Sequence, residues 1–219
     1  FDTPLFADLH LETLRRYDRE LTDAGISSRS GFLTSPTSGG QSWLAHSTFA
    51  NGLWITNQVS YAAALSSGRN TLFHYASDAG FRTSAVMPQI TLDWPESEFM
   101  GFEQVLVSTD LGYRGLPMNW VTMPDQFTLT ALDRLVRTAD DPRHVFAQIA
   151  LVSSHAPWVP VPEILPWDAI GDGTEFNEVA LSGDPPEVVW QDWARVRAQY
   201  RLAIDYALQS VFEYVRLDV

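Results

Sequence analysis

The sequence has no cysteine and no lysine. Without thiols there is no disulfide scaffold, no zinc–thiolate site and no cysteine nucleophile, while the compartment is left open. All fourteen basic residues are Arg, against twenty-seven carboxylates, for a formal net charge of −13. That balance argues against nucleic acid as a main partner, because phosphate neutralisation needs clustered Lys and Arg. No apolar run reaches the roughly 18 residues a membrane helix requires, and Phe1-Asp2-Thr3-Pro4 is not a signal peptide. A Gly-x-Ser-x-Gly elbow, a phosphate loop and a dinucleotide fingerprint are also missing. What remains is a globular composition, 45% apolar and 12% aromatic with eight Trp, long enough for one α/β core.

Apolar spacing predicts helices over 5–24, 42–54, 71–79, 125–139 and 192–217, and short apolar strands over 83–87, 104–107 and 145–152. The run Val145-Phe-Ala-Gln-Ile-Ala-Leu-Val152 is nearly continuous, as a parallel strand covered on both faces requires. Helices alternating with such strands predict an α/β fold, a doubly wound, mostly parallel sheet with helices on both faces. One domain is expected over 1–219. Within it, 156–191 reads as an irregular surface excursion, acidic and rich in proline; a loop this long is either solvated or a wall of a substrate cleft. The last helix ends where a doubly wound fold would run into another strand, and no strand precedes the first. The chain is therefore expected to be truncated at both ends, an excerpt of a larger catalytic domain.

Two segments carry chemistry. In Gly39-Gly40-Gln41-Ser42 a glycine pair leads to a hydroxyl at the mouth of a helix. Unpaired N–H groups and the helix dipole make such a position fit for an oxyanion, and the glycines clear space for a tetrahedral anion. The spacing is equally compatible with Ser42 as a plain N-cap. The second segment is Ser153-Ser154-His155-Ala156-Pro157-Trp158. It follows the 145–152 strand and so puts His155 where open α/β sheets place ligands. His46 lies one turn past Ser42, either as a base or as helix packing. His10, His74 and His144 read as structural or solvated. Asp168-Ala-Ile-Gly-Asp172-Gly173 lacks the alternating oxygen ligands of a calcium loop.

Gly40-Gln41-Ser42, Ala45 and Asn51-Gly52-Leu53, together with Ser153-Ser154-His155-Ala156-Pro157, resemble the alkaline phosphatase superfamily. The nearest branches are its sulfatase-like membrane enzymes, the phosphoethanolamine transferases and lipoteichoic acid synthases. Ala79-Gly80-Phe81-Arg82-Thr83 is similar to a structural helix-to-strand turn of the same enzymes. The resemblance implies a phosphoryl or sulfuryl ester hydrolase or transferase acting through a covalent Ser42 intermediate. His155 would contact the transferring group, and Gly40, Gln41 and Trp94 would line the substrate site. It further implies a divalent metal (Zn, Mn, Mg or Ca) on Ser42, whose other ligands lie outside this chain. Asp2 and Asp218 do not fit the family's ligand positions. The implied substrate is a small anionic ester or lipid head group. The implied setting is extracytoplasmic, periplasmic or cell-surface, with membrane anchoring through segments absent here. A metal-free serine hydrolase and a non-catalytic binding domain are the competing readings.

Overall fold

The computed structural model describes residues 4–29, 31, 33–137 and 140–217, with the backbone alone for 4–11. Four helices come first: α1 (Pro4–Asp23), α2 (Ser42–Asn51), α3 (Gln58–Ser66) and α4 (Leu72–Asp78). Strands β1 (Arg82–Met87) and β2 (Gln104–Val107) follow, then helix α5 (Asp125–Leu132) and strand β3 (Val145–Ile149). Two single-turn helices, α6 (Asn177–Ala180) and α7 (Pro186–Val189), precede the long α8 (Trp193–Leu217). The result is a mixed α/β fold around a three-stranded parallel sheet in the order β2-β1-β3. Ser84 sits between Gln104 and Ala147 in the register. The central strand β1 is buried at all six positions, while β2 and β3 are half-buried.

Alternation along the strands sends residues to two different cores. Val86, Leu106, Val145, Ala147 and Ile149 face α5, packing with Phe127, Leu132, Val136, Leu111 and Phe176. Phe146 faces the opposite way, onto Phe73, Ala50 and Met100. Beyond it, Leu44, Ile55 and Tyr61 close a small cluster between α2 and α3. Helices thus cover both faces. On the α5 side, α8 packs on α5 and carries α1 outside it. Tyr17 of α1 stacks on Phe212 at 4.9 Å and donates to Glu213 at 2.9 Å. Burial first, and then Glu213, pushes the Tyr17 phenol up to about 12.

Several boundaries depart from expectation for local reasons. Helix α2 stops at Asn51 because Gly52 adopts φ 61°, the left-handed cap that ends helices. The 125–139 helix is α-helical only to Leu132 and continues as a π turn over Asp133–Arg137, with 138 and 139 outside the described residues. Strand β3 ends at Ile149 because the chain there turns to meet Asp125, whose carboxylate accepts the N–H groups of Val152 and Ser153 at 2.8 and 2.9 Å. Helix α3 has no counterpart in the sequence reading.

The 156–191 stretch is mostly irregular, but it is not purely a surface excursion. It sends Ile170 and Phe176 into the main core, because buried aromatic and aliphatic side chains outweigh its exposed acids. Gly173 has φ 98°, and a Cβ there would sit 2.2 Å from the Tyr113 ring. Only glycine fits beneath that ring.

Candidate active site

A cavity of about 490 Å³ opens where the C-terminal ends of β1 and β3 meet the first turn of α2. Ser42 and His155, brought from distant parts of the chain, both line it, as does Trp94. This is the end of the sheet where a parallel α/β arrangement leaves a crevice. Apolar groups make most of the wall, among them Trp43, Tyr61, Met87, Trp120 and Leu151. Its polar groups are Ser42, His46, Ser47, Gln89, Gln148, Ser154 and His155. Among the described residues no Asp, Glu or Arg lines it.

Ser42 is the first helical residue of α2 and is exposed. It is not the N-cap. That position belongs to Gln41, held at φ 52°, ψ 39° with no side-chain capping bond. Gly39 and Gly40 precede it at φ 133° and 61°, so three successive residues turn the chain through positive φ into the helix. Glycine does so freely, whereas a residue with a Cβ pays about 1–2 kcal/mol in this region. The Ser42 hydroxyl is therefore left for the cavity rather than spent on the helix end. Gly40 and Gln41 are exposed and do not line the cavity; they shape the entry to α2.

His155 sits on the turn after β3. Asp125, wholly buried at the start of α5, anchors that turn through Val152 and Ser153, and Ser153 Oγ accepts the Asp125 N–H at 2.9 Å. Burial raises the Asp125 carboxyl above its ordinary value, opposed by the Ser153 and Val152 hydrogen bonds. The His155 ring stacks on Trp120, centroids 6.0 Å apart. Its Nδ1 lies 2.7 Å from the Ala156 carbonyl oxygen. A carbonyl only accepts, so Nδ1 carries a proton, and in the neutral ring Nε2 holds the lone pair.

His46 lies on the same wall, half-buried, with Nδ1 3.0 Å from Gln148 Nε2 of β3. Burial lowers its pKa below the ordinary imidazole value. His74 instead caps α4 with Thr71, at 3.0 Å, a structural role. Asp172 and Glu175 turn their carboxylates onto Thr174, Gly171 and Gly173 of their own loop. The His10 side chain, Asp2 and Asp218 lie outside the described residues.

No group of three or more His, Asp or Glu is placed to hold a metal ion among the described residues. The cavity offers hydroxyls, carboxamides and two imidazoles, without the carboxylate charge that balances a divalent cation. Trp120, Gln148 and Asp125 were not singled out by sequence. Each takes its place only through tertiary contact, and only the alternation of β3 could have pointed Gln148 to the α2 side. No protein-family model, curated protein or solved structure matches the chain.

Proposed function

We propose that the chain is part of a phosphoryl or sulfuryl ester hydrolase or transferase of the alkaline-phosphatase-like, doubly wound kind, working through a covalent Ser42 intermediate. The observation that carries this reading is the meeting of Ser42 and His155 in one cavity at the C-terminal end of the sheet, with Ser42 freed from capping by Gln41. Ser42 Oγ attacks phosphorus or sulfur and His155 Nε2 takes its proton. The Oγ–P or Oγ–S bond forms, the ester bond breaks, and the departing oxygen leaves with the proton from His155. Water or an acceptor alcohol then repeats the sequence in reverse and frees Ser42. Trp94 and the neighbouring aromatic wall hold the uncharged part of a small anionic ester or lipid head-group substrate.

A divalent ion belongs to the same reading through the resemblance, but the described residues do not form its shell. Ser42 would be one ligand and the carboxylates would come from elsewhere. An extracytoplasmic, membrane-anchored setting rests on the resemblance alone. Among the described residues no helix is long and apolar enough to cross a membrane.

Turnover of 4-nitrophenyl phosphate, its diester and its sulfate, with and without Mn²⁺ or Zn²⁺, tests the assignment. In the full-length protein, Ser42→Ala should lower kcat by at least about 10³-fold, as loss of a nucleophile does, and Ser42→Thr should retain activity. A Ser42→Ala protein within tenfold of the parent sinks the nucleophile.

A further inference from the structure

The two imidazoles of the cavity are held in opposite tautomers. Gln148 Nε2 is an amide donor 3.0 Å from His46 Nδ1, so that nitrogen accepts and the proton of the neutral ring lies on Nε2. His155 shows the reverse, Nδ1–H donating to the Ala156 carbonyl at 2.7 Å. Turning the Gln148 amide around would put its N–H2 where its oxygen now lies buried without a partner, and an unpaired buried donor is the rarer kind of orphan.

His46 is one helical turn beyond Ser42, and side chains of a helix lean back toward its N-terminus. Its ring therefore reaches over the turn that presents Ser42, with Nδ1 committed to β3 and Nε2–H directed away from it. Both residues also line a second, shallower hollow with Ala45, Phe49 and Gln148, so they share two surfaces. The cavity contains no cationic side chain among the described residues, yet a group transfer to Ser42 builds negative charge on the non-bridging oxygens. We infer that His46 is a catalytic residue of the site, a neutral hydrogen-bond donor to those oxygens through Nε2–H, and that Gln148 is the positioning residue that fixes its tautomer. The inference rests on the Ser42 nucleophile reading. A neutral donor suits a wall of Trp and Met better than a charged one, since an unpaired cation there would be costly to desolvate. The other titratable groups lining the cavity are Tyr61 and His155. Depression of the His46 pKa by burial keeps the ring uncharged and the donor in place.

Two measurements on this chain test it. Long-range ¹H–¹⁵N NMR of the imidazoles should show His46 protonated at Nε2 and His155 at Nδ1. Gln148→Leu should release the His46 preference and leave that of His155. Labelling by diisopropyl fluorophosphate, followed by mass spectrometry of the Ser42 peptide in EDTA and in Mn²⁺, reads the chemistry. His46→Leu should slow labelling by about 10²-fold, the usual loss for one oxyanion donor, and His46→Gln, which keeps an N–H donor, should recover part of it. Circular dichroism of each variant checks the fold. A His46 ring protonated at Nδ1, or labelling unaffected by a folded His46→Leu, overturns the inference while leaving Ser42 as nucleophile. No labelling of Ser42 in either buffer overturns the nucleophile reading and this inference with it.

Discussion

On the α5 side of the sheet a dozen buried residues merge into one core with α8, residues 111–123 and the 170–176 segment. On the α2 side the buried residues fall into two clusters of three, and the space beside them is the cavity. The same three strands supply both faces, so the difference lies in what covers them. One face is closed by side chains interlocking from many segments. The other is closed by short helices whose exposed residues include Trp43 and Phe49. Buried packing concentrates on the first face and the open cavity lies on the second, a division that natural proteins commonly make between rigid scaffold and site.

The sharpest way to break this comparison is to truncate one residue from each face. Phe127→Ala should cost about 4 kcal/mol and Leu44→Ala about 2 kcal/mol, both within the range for large-to-small core changes, read by urea denaturation. Equal losses would mean the α2 face carries as much of the fold as the other. Next in size, Asp125→Ala strands two buried N–H groups and should cost about 3 kcal/mol. It should also loosen the His155 turn, seen as a change in the His155 tautomer signal. The wild-type Asp125 carboxyl has its folded-state pKa raised by burial. Native protein then holds the proton more tightly than unfolded chain, and stability falls as pH climbs from the usual 3.8 through the raised value. Asp125→Asn should flatten that slope.

Smaller effects sharpen the picture. Gln41→Gly relieves the left-handed φ of 52° and should stabilise the protein by about 0.5–1 kcal/mol. A loss instead would mean the Gln41 side chain contributes something beyond its backbone. Smallest is the surface. Arg143 bonds Glu103 at 2.9 Å and Asp141 at 2.7 Å, holding both carboxyls below their ordinary values, Asp141 at about 2. Such groups stabilise fully above their unfolded pKa values, and the benefit fades as pH falls toward 2. Arg143→Ala should remove this slight acid sensitivity, and salt should mask it, because the pair is solvent-screened.

Much of the framework was legible in the sequence, because long periodic segments announce themselves. Strand 104–107 was placed to the residue and β1 to within one. Helix α3 went unread because Gln-Val-Ser-Tyr-Ala-Ala-Ala-Leu-Ser buries a single residue, Tyr61, and so has no stripe. Its one clear mark was Asn57, whose side chain accepts the Ser60 N–H at 2.9 Å. The sequence also pointed to Ser42 and His155, since each has a readable position relative to a helix start or a strand end, and left His46 between a base and helix packing. It did not reveal what fixes the two rings. The alternation of β3 puts Gln148 on the α2 side and the local turn places Ala156, but neither says which ring it meets.

The Tyr113 ring lying on Gly173 bears on how the molecule is cut by proteases. A segment as acidic and proline-rich as 156–191 would ordinarily be the first to yield. Here its middle is threaded through the same packing that holds Phe127, so it opens only when that packing comes apart. Nicking near Gly173 should then follow the rate of whole-molecule opening. Cleavage in 33–40, where backbone and side chains are largely solvated, should proceed in the folded state and leave the sheet intact.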